Sequence, residues 1–124
     1  MKIIRQFISR RPAEKRLTYF YAMVTTDEQV WLLRNQRSGD LFLLEGEENY
    51  EFSLPVWPTR SFAEMEAEKI ESGSFEAFNV PLAEFLDDML VDVEEDCGIA
   101  EIFPNGKDAI LQTRDDMKEI ISKL

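Results

Sequence analysis

Two unbroken apolar runs, Val30-Trp31-Leu32-Leu33 and Leu41-Phe42-Leu43-Leu44, constrain the fold more than any other feature of the chain. Successive side chains of a strand point to opposite faces, so a run without polar alternation needs cover on both sides. Between the runs lies Asn35-Gln36-Arg37-Ser38-Gly39-Asp40, a polar stretch with turn chemistry. The three pieces together predict a hairpin of two central strands, with helices or a second layer on either face. Tyr50, Phe52 and Leu54 instead alternate with Glu51 and Ser53 after an acidic turn containing Gly46, which predicts a half-exposed edge strand.

Covering elements are easy to find. Behind Pro81, the residues Leu82, Phe85, Leu86, Met89, Leu90 and Val93 fall at intervals of 3, 1, 3, 1, 3, a single apolar stripe on a helix. Ala13, Leu17, Phe20, Tyr21 and Val24 mark a second helix over 13–24, with Pro12 where a first-turn proline is tolerated. A third runs from Phe62 to about Glu71 with Phe62, Ala63, Met65, Ala67 and Ile70 inward, capped by Thr59 or Ser61 and stopped by Ser72-Gly73. Thr113 followed by Asp116 resembles a capping box and starts the last helix, with Met117, Ile120, Ile121 and Leu124 facing inward. Further strands are predicted at 75–80, 99–103 and 108–112. The last two flank Pro104-Asn105-Gly106-Lys107, whose Asn-Gly pair suits a type I′ turn.

With 124 residues the chain is the size of one domain that can bury a core unaided. The expectation is one α+β domain over residues 1–124, with a mixed or antiparallel sheet of about five or six strands and about four helices packed on it. Residues 1–8 form a basic arm in which Ile3, Ile4, Phe7 and Ile8 make a short amphipathic turn that docks on the domain or stays mobile.

Charge narrows the function classes. The chain carries 25 acidic and 14 basic residues, a net charge of −11, which repels phosphate backbones, anionic headgroups and acidic substrates at long range. Residues 1–16 hold Lys2, Arg5, Arg10, Arg11, Lys15 and Arg16 against Glu14 alone, a charge of +5 that leaves −16 on the remainder. Such a head can fold back on its own acidic body or reach that of a second copy, giving a homo-oligomer through the N-terminal arm. Neither a signal peptide nor a spanning stretch is recognisable, and the lone Cys97 allows no internal disulfide, so a cytoplasmic setting is expected.

The absence of histidine removes Ser-His-Asp and Cys-His nucleophile systems and mixed Cys/His zinc sites, and one cysteine cannot build a thiolate site. Glycines at 39, 46, 73, 98 and 106 form no phosphate-cradling motif. Carboxylate or lysine chemistry is what remains. No cofactor and no metal site is expected.

Two candidate sites emerge. Glu84, Asp87, Asp88, Asp92, Glu94, Glu95 and Asp96 follow one another without a basic residue, and Glu84, Asp88 and Asp92 stack at i, i+4 and i+8 opposite the apolar stripe. That column, with Glu95, is a solvated face or a surface for a basic protein partner. A hard cation would want six or more converging oxygens, and no Asp-x-Asp-x-Asp-Gly loop exists. As a nucleic-acid mimic one column is too sparse, because its carboxylates stand about 6 Å apart while duplex DNA carries a charge every ~1.7 Å. Further acids at Glu45, Glu47, Glu48 and Glu51 and at Glu64, Glu66, Glu68 and Glu71 add to it only if the fold aligns them.

The second is Leu54-Pro55-Val56-Trp57-Pro58, an aromatic held between two prolines that fix the backbone on both sides. With Trp31, the residues Pro55, Trp57 and Pro58 make either a structural corner whose indole plugs the core or the wall of a small-molecule pocket. A pocket reading, whether for a ligand-binding protein or a carboxylate enzyme, requires a concave site with at least one desolvated carboxylate.

At this corner the chain resembles the small bacterial family catalogued as domain of unknown function 2750. The matching pieces are the helix with Arg16 and Phe20, the strand Glu28-Gln29-Val30-Trp31-Leu32-Leu33, the Leu-Pro-Val-Trp-Pro corner with Ala63, the stretch Val80-Pro81-Leu82-Ala83-Glu84-Phe85-Leu86, and the Val93 to Pro104 passage, together about residues 9–122. The resemblance implies one α+β domain and carries over no catalytic residue. It also implies an aromatic, often tryptophan, soon after the second helix, where Glu71-Ser72-Gly73-Ser74-Phe75 offers Phe75. Binding rather than catalysis is the expected function.

Overall fold

The computed structural model describes residues 2–47, 49–70 and 73–124, with side chains from Arg5 onward. Helix α1 (Lys2–Ser9) and helix α2 (Ala13–Asp27) precede β1 (Gln29–Asn35), β2 (Leu44–Glu45) and β3 (Phe52–Val56). Helix α3 (Arg60–Ala67) and β4 (Phe75–Pro81) lead into α4, which opens as Leu82–Glu84, widens to a π-turn over Phe85–Met89 and resumes as Leu90–Glu95. β5 (Gly98–Ile102), β6 (Ile110–Gln112) and helix α5 (Arg114–Ser122) complete an α+β domain. Among the described residues no helix is long and apolar enough to cross a membrane.

The strands form two sheets, β1-β4 and β2-β3-β5-β6. β3 and β5 are parallel and the other pairs antiparallel, so the larger sheet is mixed. The sheets meet where Trp31 and Trp57 exchange backbone hydrogen bonds at 3.0 and 2.8 Å. β3 thus leaves β2 after Ser53 and reaches β1 at Trp57. Pro55, which has no N–H to donate, falls in the gap between those two partners, where a ladder bond is not required of it.

Three strand expectations need correcting. The β1 hairpin closes only briefly, through an Arg34–Leu41 bridge and a Phe42 N–H to Leu33 carbonyl bond of 2.9 Å, and the chain then moves on to pair with β3. The long partner of β1 is β4, from Gln29–Pro81 to Asn35–Phe75. The segment read as an edge strand is instead the inner strand β3, with Ser53, Leu54, Pro55 and Val56 all buried, because its polar alternation is carried by a serine small enough to bury. The Asn-Gly pair does not make a two-residue turn. β5 and β6 are joined by seven residues, 103–109, in which the Asn105 Oδ1 accepts from the Lys107 and Asp108 backbone N–H groups.

Helix signals held more closely. Thr59 caps α3, accepting from the Phe62 N–H at 3.4 Å, and Thr113 and Asp116 form the reciprocal capping box on α5. α3 ends at Ala67, short of the Glu71 expected of it, and the Ser72-Gly73 stop falls partly outside the described residues. Leu124, expected inward, is 72% exposed beyond the end of α5. The core gathers Phe20, Tyr21 and Val24 of α2, Val30 to Leu33 of β1, Leu54 and Val56 of β3, and Phe85, Leu90 and Val93 of α4.

α1 ends on a buried Ser9, whose carbonyl accepts from the Asn105 side chain at 2.7 Å, while Phe7 is exposed beneath the Arg11 guanidinium. The side chains of Ile3 and Ile4 lie outside the described residues.

Candidate functional site

The four-stranded sheet has a depression on each face, and one short segment lines both. Leu41 and Leu43 border a groove with Phe52 and with Met89 and Val93 of α4, whereas Phe42 and Leu44 line a cleft with Pro55 and Trp57. The alternation of a strand explains the split, because neighbouring residues point to opposite faces. The run Leu41–Leu44 is apolar throughout not because it is a covered central strand, as its composition predicts, but because each face borders a hollow. Leu43 is 42% exposed, one of the few large apolar side chains on the surface.

The groove measures about 430 Å³ and is rimmed by Glu84, Asp88, Asp92 and Asp96. Three of the four acids proposed as a partner surface, Glu84, Asp88 and Asp92, therefore stand together along an apolar floor. Glu95 does not; it is exposed away from the groove, and Asp96, just past the helix end, takes its place. Among the described side chains none of these rim carboxylates has a basic partner within 4 Å. Asp87 points elsewhere, pairing with Lys118 at 2.8 Å and Arg114 at 3.3 Å, and the Lys118 hydrogen bond and charge hold its carboxyl below the usual range. The π-turn of α4, closed by a bond from the Leu90 N–H to the Phe85 carbonyl, buries Phe85 and Leu86 directly ahead of the acids Asp87 and Asp88. Glu48 and Glu71 lie outside the described residues.

The Leu-Pro-Val-Trp-Pro corner answers both of its readings. Trp57 is 1% exposed and its Nε1 donates to the Pro104 carbonyl at 3.1 Å, so the indole fills the core. Trp57 and Pro55 nevertheless line the cleft, which measures about 630 Å³. Trp31 and Pro58 do not line it: Pro58 is buried, and Trp31 lies under the Arg60 guanidinium, 4.9 Å from the ring centre.

Two residues that matter most here were not picked out as site residues. Arg16 is buried to 1% exposure on α2. Its Nε donates to the Phe103 carbonyl at 3.0 Å, Nη1 to the Arg11 carbonyl at 2.7 Å, and Nη2 to both the carbonyl and the carboxylate of Asp108 at 2.6 and 2.9 Å. It clamps the 103–109 loop, which includes Phe103 in left-handed conformation at φ 50° and forms one wall of the cleft. Charge counting along residues 1–16 treats Arg16 as part of a free basic head, and burial removes it from that role.

Glu101, the second, stands on β5 between Ala100 and Ile102 with its carboxylate toward the cleft, accepting the Ser53 hydroxyl at 3.2 Å. Burial first, and the charge of Glu47 in addition, push its carboxyl above the usual range against the opposing Ser53 bond. Its signal in the sequence was an acid in the middle of an apolar strand, Ile99-Ala100-Glu101-Ile102-Phe103.

A family model described as protein of unknown function (DUF2750) matches residues 17–120. No curated protein and no solved structure matches the chain.

Proposed function

We propose, for a chain that belongs to the DUF2750 family, that it is an acidic binding module which docks a basic amphipathic protein segment in the groove between α4 and the Leu41–Leu43 segment beside Phe52, without chemistry of its own. The observation that carries this reading is the pairing of an apolar floor, Leu41, Leu43, Phe52 and Met89, with an uninterrupted carboxylate rim. A helix with leucines on one face and lysines or arginines flanking them satisfies both parts at once. Its apolar face removes Leu43 from water, while its cations meet Glu84, Asp88, Asp92 and Asp96. The rim sets approach rate and register and the floor supplies the residence time, since exposed ion pairs are individually weak. A reducing, cytoplasmic setting suits the exposed and unpaired Cys97.

A synthetic helix-forming peptide with leucine and lysine at amphipathic spacing tests the reading, with a scrambled peptide of equal composition as control. Calorimetry should show saturable binding of the amphipathic peptide alone, weakening several-fold as salt rises from about 0.05 to about 0.5 M. Asp88→Lys with Asp92→Lys should abolish it. Binding that ignores salt, or equal binding of the scrambled peptide, would reject this function.

A further inference from the structure

Of the six described charged side chains that line the cleft on the opposite face, three are paired. Glu66 takes the Lys69 ammonium at 2.9 Å, Lys69 also reaches the Asn105 carbonyl at 3.3 Å, and the Asp108 carboxylate is held by Arg16. Lys107 and Glu47 stand exposed at the rim. Among these six, Glu101 alone is both without an ion pair and withdrawn from the surface. β5 has β3 on one side and β6 on the other, so Glu101 rises from the middle of the sheet between its register partners Pro55 and Leu111, both apolar and both part of the cleft wall. Among the described side chains no base lies within 4 Å of it.

We propose that this cleft binds a small organic cation, an amine or amidine on an apolar body, with the cationic group on the Glu101 carboxylate and the body against Trp57, Pro55 and Leu111. A carboxylate drawn partly out of water without a counter-charge is unfavourable in the empty protein, and a cation is the ligand that recovers that loss. An anion would meet Glu101 and Glu47 together, with the exposed Lys107 as the one unpaired cation among the described lining residues. A neutral apolar molecule would strip more water from the carboxylate and return nothing. The Ser53 hydroxyl orients one carboxylate oxygen, leaving the other for the ligand. The volume of about 630 Å³ lies within the range of small-molecule sites. Because Glu101 must be ionised, and burial with Glu47 raises its carboxyl, affinity falls as pH drops through that raised value. The other acids lining the cleft away from its rim, Glu66 and Asp108, are paired with Lys69 and Arg16.

The test titrates phenethylamine, n-hexylamine and benzamidine, with 2-phenylethanol and 1-hexanol as neutral counterparts of the two amines. At least one cation should bind saturably at neutral pH, with a phenethylamine or hexylamine site preferring the amine to its alcohol by about tenfold or more. Glu101→Gln should lower the affinity of the bound cation by about tenfold or more while leaving basic-peptide binding on the other face intact, which shows that the variant is folded. Ser53→Ala, a smaller change, should weaken the same cation without abolishing it. Equal binding of an amine and its alcohol, unchanged affinity in Glu101→Gln, or no binding of any of the three cations at about 10 mM would overturn the proposal.

Discussion

Glu101 is held in a state that costs the fold something. Its carboxyl is raised by burial, so the folded protein binds that proton more tightly than the unfolded chain does. The stability linked to the protonated form is complete below the ordinary glutamate range and is lost as pH rises through the raised value. Glutamine has the same shape, still accepts from Ser53 and is neutral throughout. Glu101→Gln should therefore melt roughly 2–5 °C higher than the parent near pH 7, with the difference vanishing as pH falls below the ordinary glutamate range. Thermal melts across pH decide it: a variant that melts lower at neutral pH would mean the ionised carboxylate is a structural asset. A side chain that destabilises its own fold is what a binding position is expected to look like. Arg16 is the opposite case. Its removal would leave the buried carbonyl of Phe103 without its donor, while water can reach those of Arg11 and Asp108, and Arg16→Ala should cost about 1–3 kcal/mol, read as a lowered urea midpoint. Arg16→Lys should recover little of this, since one ammonium cannot span the three directions of the guanidinium fork.

Among the elements, helix starts were legible and strand neighbours were not. Thr59, Thr113 and Asp116 act within three residues of themselves, so local spacing suffices to find them. Whether β3 lies at an edge depends on β5, whose pairing residue to Phe52 is Gly98, far along the chain, and no local pattern reports that. The acid column on α4 was readable from i, i+4 spacing, but its apolar floor was not, because Leu41, Leu43 and Phe52 come from other elements. The cleft was half legible. Pro55 and Trp57 announced a rigid corner, whereas Glu101 and the loop beyond it reach that corner only through the pairing of β3 with β5. Gly98 shows how tightly these elements meet: a Cβ there would stand 2.3 Å from the Phe52 ring. Gly98→Ala must push that ring aside and so deform the groove floor. The expected result is at least severalfold weaker binding of the amphipathic peptide with little change at the cleft, measured by the same titrations.

For the molecule as a whole, one sheet separates two hollows of different character, an acid-rimmed groove and a cleft with a single unpaired carboxylate on its floor. The surplus of negative charge is not evenly spread, since Asp87, Glu66, Asp108, Glu76 and Glu119 are taken up by basic neighbours while the groove rim is left bare. Between the parallel strands β3 and β5 the chain makes α3, β4 and all of α4. On a ribosome, the inner ladder of the sheet therefore has to wait until β5 has emerged, long after its first half is available. Nascent chains cut short before residue 98 would display Phe52, Leu54 and Val56 without their mate, and would be natural clients for chaperones that recognise bare hydrophobic strands.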